Sequence, residues 1–346
     1  MSLEDGYRRL LSLYPRQHRL LYEEEMIAVL MTGAEPGRRR PSPAEWFDIA
    51  VSAAAVRLRR AGQALAAEAW RQAAYAVLLG GSIALLVIGL NRLGLATGVR
   101  LRFGPDGVQP GVVDYLRPVL WALVAAAALT RFRVLAALLA VAAAVNEGVR
   151  AAAFYEWSPS QVLRTCWLLT VAAVVVIAAV AIARAGRVPR PRGLWLLAIA
   201  GALVVIGGFA DYAWMPLVHR NPAFVEISGK IVLVGSGTAC SAIAAVLALC
   251  AWLRLPGAVR RRTLAFGVPV LAMLILVPYG FGGFMYSSQR NLDHPNPLVW
   301  FQWVILVVVP VLAFGVGVLA LHRYERLRHL VRLGRAAEQR EVAPER

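Results

Sequence analysis

The residues whose types could do chemistry inside an apolar environment are concentrated in one stretch of the chain. Asn146, Glu147 and Arg150 follow a run of alanine, valine and leucine. Glu147 and Arg150 are three positions apart, so they lie on one face of a helix and can form an ion pair. An ionisable group inside a membrane is costly, which makes it a candidate for a functional site. The chemistry it would support is binding of a charged solute or proton relay.

Two further ionisable residues are expected at a similar depth. Arg164 stands near the start of the next apolar segment, and Asp211 ends the segment after that. The candidate intramembrane polar cluster is therefore Asn146, Glu147, Arg150, Arg164 and Asp211. Two interpretations stay open. The residues line a cavity that opens outwards, or they form an internally neutralised ion pair whose arginines extend to the outer headgroups.

The elements that must position this cluster are long apolar segments. The chain of 346 residues is 59% hydrophobic and 16% charged, and its mean hydropathy is +0.60. A membrane-spanning helix needs about 17 to 25 residues. The sequence therefore predicts an all-α fold, a polytopic transmembrane bundle of about eight helices in four hairpins. The predicted spans are 74–94, 118–130, 134–153, 162–183, 193–212, 230–252, 264–282 and 299–321.

Two of these segments have irregular features. The segment 118–130 is short for a membrane span and is followed by Arg131 and Arg133. It can cross the membrane only if the helix also includes Leu116 and if these arginines extend their side chains to the headgroups. If it does not span, the count falls to seven and one terminus changes side. Pro310 is expected to interrupt the last segment, and broken helices expose backbone groups at transporter sites.

The charge distribution predicts orientation and lipid contact. The net charge is +17, from 37 basic and 20 acidic residues. On the eight-helix topology, basic residues are about threefold more numerous on the side that holds both termini, as the positive-inside rule requires. We therefore expect a multi-pass protein of the bacterial plasma membrane with cytoplasmic N- and C-termini. Its arginines would contact the anionic inner leaflet, and no nucleic-acid partner is expected.

Three domains follow from this layout: a cytoplasmic helical prefix at 1–72, a transmembrane bundle at 73–321 and a basic cytoplasmic tail at 322–346. The prefix is predicted to contain one helix before Pro15, a second through Met31 and a third over 43–71. A unit of this size is marginally stable alone, so we expect it to dock on the inner membrane face or on a protein partner. The tail has the pattern of a basic amphipathic helix.

A pattern in the prefix runs through Tyr7 to Leu11, Leu13 to Arg16, Arg19, Tyr22 and Glu24 to Met26. This pattern resembles the segment ahead of the membrane part in some macrolide-exporter-like bacterial permeases, and the start of many uncharacterised actinobacterial integral membrane proteins. The resemblance implies two short helices joined by a Tyr-Pro-Arg turn, in a small cytoplasmic prefix, and it does not imply transport. The rest of the chain departs from the permease pattern, since no large extracytoplasmic domain interrupts the first two predicted membrane helices.

The remaining motifs predict no catalysis and no cofactor. The chain lacks a phosphate-binding loop, a zinc-protease His-Glu pattern and a nucleophile elbow. His219, Glu226, Asp293 and His294 are acceptable metal ligands by type, but their spacing matches no metal motif. The function that fits is a non-catalytic, transport-associated or accessory membrane component. The alternatives are a membrane sensor that couples outer loops to the prefix, a solute carrier with its site around Glu147 and Arg150, and, last, an enzyme acting on lipid.

Overall fold

The computed structural model describes most of the chain, and every regular element in the described ranges is an α-helix. The described residues are 3–14, 16–34, 38, 41–65, 68–103, 111–130, 132–155, 158–185, 193–213, 230–290 and 296–342. Side chains are described in these ranges except at 16–18, 54–55, 57–65, 98–103, 209–213, 230–238, 329 and 332–342.

The helices are numbered in chain order. Their bounds are α1 Leu3–Leu11, α2 Arg16–Thr32, α3 Pro43–Leu65, α4 Glu68–Phe103, α5 Val112–Leu129, α6 Arg133–Tyr155, α7 Pro159–Arg184, α8 Trp195–Ala213, α9 Lys230–Leu253, α10 Gly257–Gly280, α11 Gly282–Arg290 and α12 Trp300–Val342. The chain divides into two compact units, Met1–Ala67 and Glu68–Arg346.

The first unit is a three-helix assembly around α1. Leu3, Tyr7, Leu10 and Leu11 recur at helical spacing, so α1 buries one apolar face. The helix packs against both α2 and α3, where Ile27 adds to the same apolar core. Of the predicted third helix, 43–71, residues Pro43–Leu65 form α3 and residues 68–71 belong to α4, while 66–67 lie outside the described residues.

The second unit is built on a four-helix bundle of α4 to α7. Each of these helices packs against its neighbours, and α4 also contacts α7. Opposite helix ends meet: Tyr75 near the start of α4 donates to the carbonyl of Ala128 near the end of α5. Arg133 at the start of α6 likewise donates to the carbonyl of Ala185 beyond the end of α7. The bundle is therefore antiparallel.

Within the described residues, six helices of this unit are long and apolar enough to cross a membrane, which indicates a multi-pass membrane protein. They are Glu68–Thr97, Val112–Leu129, Arg133–Tyr155, Pro159–Arg184, Gly257–Gly280 and Trp300–Arg328. The segment expected to be short, 118–130, belongs to a helix of 18 residues that begins at Val112. The helix is long enough to span because it begins at Val112 and not at 118. The charged residues in this upstream part lower its hydropathy, which is why the sequence prediction left it out.

Two other predicted spans correspond to α8 and α9. In the part of the chain where side chains are described, their apolar stretches are the shorter segments Trp195–Gly208 and Ala239–Leu253. The two helices pack extensively against each other, and α8 also packs against α4. The total of eight spans in four hairpins stays a prediction.

The last helix differs from expectation at Pro310. The prediction that this proline interrupts the final span is wrong, since Pro310 lies inside α12, which runs unbroken for 43 residues, or about 65 Å. Proline lacks one amide donor but does not prevent a helix whose neighbours support it. Arg262 of α10 forms an ion pair with Glu325 of α12 at 3.1 Å. The contact between these two helices therefore extends into the region predicted as the tail, which begins at residue 322.

Candidate functional site

Glu147 is the most enclosed carboxylate among the described residues of the bundle. It is 4% exposed, and its partner Arg117 on α5 is 2% exposed. The Nε of Arg117 donates to Oε1 of Glu147 at 2.6 Å, and Nε1 of Trp121 donates to the same oxygen at 3.1 Å. A charge is tolerated in an apolar interior when it is paired and hydrogen-bonded. This carboxylate meets both conditions.

The two side chains that donate to Glu147, those of Arg117 and Trp121, both come from α5. Arg117 and Trp121 are four positions apart, so they lie one above the other on one helix face. Gly89 of α4 lies over the stem of Arg117, and a Cβ at Gly89 would be 3.5 Å from its Cγ and Cδ. Packing of α4 therefore restricts the rotamers of Arg117 and holds its guanidinium against α6.

A second ion pair joins the same two helices. Nε of Arg150 donates to Oδ1 of Asp114 at 2.7 Å, and the guanidinium of Arg150 packs over the ring of Phe154 at 5.1 Å. The side-chain amide of Asn146 donates to the backbone carbonyl of Val113 at 3.2 Å. The predicted residues Asn146 and Arg150 thus both bind α5.

The expected pairing of Glu147 with Arg150 does not occur, because each has a partner across the helix interface. Asp114 and Arg117 are three residues apart on α5, and Glu147 and Arg150 are three apart on α6. Since the helices are antiparallel, these two spacings bring opposite charges face to face. The sequence carries a signal for this arrangement, namely an acid and a base at matched spacing in consecutive segments. The predicted span began at 118 and excluded both α5 residues.

Arg92 of α4 adds a third cation to this group. It lies within electrostatic range of Arg117, Arg150, Glu147 and Asp114. It also lines a small cavity of about 70 Å³ between α4, α6 and α7. Lining residues are Arg92, Glu147, Arg150, Ala151, Phe154, Gln161, Val162, Thr165, Cys166, Leu168 and Leu169. We call Arg92, Asp114, Arg117, Glu147 and Arg150 the charge cluster.

The other two predicted cluster residues are placed differently. The side chain of Arg164 is exposed and does not line this cavity. Asp211 belongs to α8, but its side chain lies outside the described residues. Arg92, Asp114, Arg117 and Trp121 were absent from the sequence prediction. Arg92 could have been found as the arginine inside the predicted first span.

The first unit contains a groove between α2 and α3. These helices both pack on α1, and between them lies a groove of about 530 Å³. We call it the α2–α3 groove. On each helix the residues that line the groove recur every three or four positions, so they lie on one face. The lining residues are Tyr14, Tyr22, Glu25, Met26, Val29, Leu30, Glu45, Asp48, Ile49 and Ser52. Met26, Val29, Leu30 and Ile49 give the groove apolar surface, and the carboxylates of Glu25, Glu45 and Asp48 border it.

Glu45 anchors the start of α3. The hydroxyl of Ser42 accepts from the amide of Glu45 at 3.1 Å, and Oε2 of Glu45 accepts from the amide of Ser42 at 2.8 Å. This reciprocal arrangement is a capping box, with Pro43 at the first helical position. Tyr7 of α1 also donates its hydroxyl to Oε2 of Glu45 at 3.0 Å. One carboxylate therefore caps α3 and joins it to α1.

The first unit is expected to lose stability in acid because of Glu45. The Ser42 amide, and then the Tyr7 hydroxyl, lower the pKa of this carboxyl below its ordinary value. The stabilisation is present above the unfolded pKa of about 4.3 and is lost as pH falls through the lower folded value. Hydrogen exchange of residues 1–65 in the full chain, corrected for intrinsic rates, should accelerate in this range. In Glu45→Gln the pH dependence should be reduced, and an unchanged dependence would contradict this assignment.

The described residues show no metal-ligating cluster of three or more histidine, cysteine, aspartate or glutamate side chains. The four sequence candidates, His219, Glu226, Asp293 and His294, lie outside the described residues.

The length and apolar composition of six described helices indicate a multi-pass α-helical membrane protein, with a buried ion pair between two of them and a helical N-terminal unit. No family model, curated protein or solved structure matches this chain.

Proposed function

We propose that this chain is a non-catalytic accessory component of the bacterial plasma membrane that recruits a cytoplasmic partner protein through residues 1–72. In this proposal both termini are cytoplasmic, which is the orientation favoured by the arginine distribution. The prefix is analogous to the segment that precedes the membrane part of permeases, which favours a role beside a transport protein and not transport by this chain itself. The single observation that carries the proposal is the α2–α3 groove.

The shape of the groove suits a helix as its occupant. Its two walls are helices that share α1 as a base, and its volume of about 530 Å³ falls in the range of binding clefts. Met26, Val29 and Ile49 line it with apolar surface. An amphipathic helix places its apolar face into such a groove, which is a recurring mode of peptide recognition.

The charge of the groove selects a basic occupant. Glu25 and Asp48 stand on opposite walls, and both side chains are exposed. An anionic lipid surface would be repelled by this rim, whereas lysine or arginine at the edge of an amphipathic helix would complement it. The occupant we propose is therefore a basic amphipathic helix of a partner protein.

A binding measurement with a designed probe tests this proposal. The full chain is reconstituted in zwitterionic nanodiscs, and a fluorescent leucine-lysine amphipathic peptide is titrated, with empty nanodiscs subtracted. We expect saturable binding that weakens roughly tenfold or more in the double variant Glu25→Arg with Asp48→Arg, because two attractive contacts become repulsive. A leucine-glutamate peptide should not bind.

The matched control is Glu23→Arg, which reverses a charge on α2 outside the groove. This variant should retain wild-type affinity for the basic peptide. Equal binding to the groove variant and the wild type, or no binding to either, would overturn the proposal. If the groove of the full chain were protected from hydrogen exchange by nanodiscs of anionic lipid, and this protection were lost in the groove variant, the membrane would be the occupant instead.

A further inference from the structure

An apolar cavity lies where five helices of the second unit meet. Its volume is about 260 Å³, and α4, α7, α8, α9 and α10 all contribute to its walls. Val175 and Ala251 in these walls are fully buried. The hydroxyl of Thr263, a polar group in the wall, already donates to the backbone carbonyl of Arg260 at 2.7 Å. Apolar cavities stay dry and take up apolar groups, so we expect hydrocarbon to fill this one.

Two arginine side chains lie against the wall of this cavity. The guanidinium of Arg260 packs over the ring of Trp252 at 5.4 Å, and Trp252 lines the cavity. The stem of Arg254 packs over Gly193, where a Cβ would be 3.0 Å from Cδ of Arg254. The next residue, Leu194, also lines the cavity. Both arginines therefore stand at the end of the cavity where α9 ends and α10 begins.

This end of the second unit carries an excess of positive charge. Residues 254–262 contain four arginines and no acidic residue. Arg262 is paired with Glu325, but Arg254 and Arg260 form no ion pair with a described side chain. Guanidinium groups are hydrogen-bond donors only. A negatively charged acceptor would therefore complement these two arginines.

Two tryptophans indicate that this end lies at the level of the lipid headgroups. Trp252 is near the end of α9, and Trp70 is near the start of α4. The guanidinium of Arg262 packs over the ring of Trp70 at 5.6 Å. Tryptophan is enriched at the membrane–water interface, and basic pockets between membrane helices bind anionic headgroups. A lipid phosphate would thus meet the arginines at the depth where the cavity ends.

We propose that this cavity holds one acyl chain of an anionic phospholipid whose phosphate binds Arg254 and Arg260. Guanidinium groups form strong, charge-assisted hydrogen bonds with phosphate oxygens, and the apolar walls accept the chain. A zwitterionic lipid supplies the same chain without net negative charge, and free phosphate supplies the charge without a chain. The cavity and its arginines belong to the second unit, so the proposal does not depend on the α2–α3 groove.

Lipid titration followed by native mass spectrometry tests the site. The delipidated full chain in neutral detergent is expected to bind about one dioleoyl phosphatidylglycerol in a saturable manner, at least about tenfold more tightly than dioleoyl phosphatidylcholine. The double variant Arg254→Gln with Arg260→Gln should lose this preference, because the phosphate loses both cationic donors. The double variant Arg254→Lys with Arg260→Lys keeps the charge and should retain the preference, so it separates charge from folding.

A variant that fills the cavity tests the position of the acyl chain. A Cβ at Gly80 would be 3.6 Å from Cδ1 of Leu197, and both residues line the cavity, so a side chain at position 80 extends into it. Gly80→Leu should therefore weaken binding of phosphatidylglycerol roughly tenfold, whereas the smaller change Gly80→Ala should leave it nearly unchanged. Arg164→Gln, which alters an exposed arginine outside the cavity, should bind this lipid as the wild type does.

Three results would each overturn the proposal. They are equal binding of phosphatidylglycerol and phosphatidylcholine, unchanged binding in the double glutamine variant, and unchanged binding in Gly80→Leu. Displacement of the lipid by inorganic phosphate at the same concentration would also overturn it, and would identify free phosphate as the ligand.

Discussion

Replacing Glu147 by glutamine is expected to destabilise the membrane unit by about 3 to 5 kcal/mol, because it leaves Arg117 charged and unpaired in a buried position. The change keeps the size of the side chain, and its amide oxygen can still accept from Trp121, so the main loss is the negative charge. Arg117 is 2% exposed and cannot turn to water without disturbing the packing at Gly89. The free energy of unfolding is measured by equilibrium denaturation of the full chain in mixed micelles.

A double variant isolates the cause. Arg117→Met combined with Glu147→Gln removes both charges, and replacing a buried pair by apolar or neutral groups is often close to neutral. The double variant should therefore be considerably more stable than Glu147→Gln alone. Glu68→Gln, at the exposed start of α4, serves as the control and should change stability little. If the double variant were no more stable than the single one, the buried charge would not explain the loss.

Gly81→Ala is expected to destabilise the bundle by about 1 to 3 kcal/mol through overpacking. A Cβ at Gly81 of α4 would overlap Cγ2 of Val175 on α7. Val175 is fully buried, and β-branched side chains in helices have one strongly preferred rotamer. The two helices must move apart, because the valine methyl cannot move aside. Small residues at such positions allow close helix packing in membranes.

The adjacent glycine provides the matched control for this prediction. A Cβ at Gly80 would be 3.6 Å from Cδ1 of Leu197, which is an ordinary contact. Gly80→Ala should therefore be neutral or slightly stabilising, since alanine has a higher helix propensity than glycine. Val175→Ala should partly rescue Gly81→Ala by removing the overlapping methyl. Equal effects of Gly80→Ala and Gly81→Ala would exclude helix contact as the cause.

These two predictions concern the same bundle of α4 to α7. Two ion pairs join α5 to α6, and α4 approaches α7 closely at Gly81.

The candidate site could be predicted from the sequence in part. Glu147 was recognisable as an ionisable residue within an apolar segment, and it is the centre of the charge cluster. Its partner Arg117 was missed, since Asp114 and Arg117 lower the hydropathy of the segment in which they stand and therefore fell outside the predicted span. Pairing across two helices depends on their rotation and axial offset, and neither is visible in a linear pattern. The predicted pair of Glu147 with Arg150 used only the spacing within one helix.

The sequence alone determined that the protein is helical and that several of its segments are long and apolar enough for a membrane, because hydropathy and segment length are local properties. It also predicted three helices in the first unit, one before Pro15, one through Met31 and one that begins at residue 43. Only the tertiary structure decided which charges are paired. Ion-pair partners are chosen by distances between helices, and the pairs Arg117 with Glu147 and Arg150 with Asp114 become apparent only when α5 and α6 lie side by side.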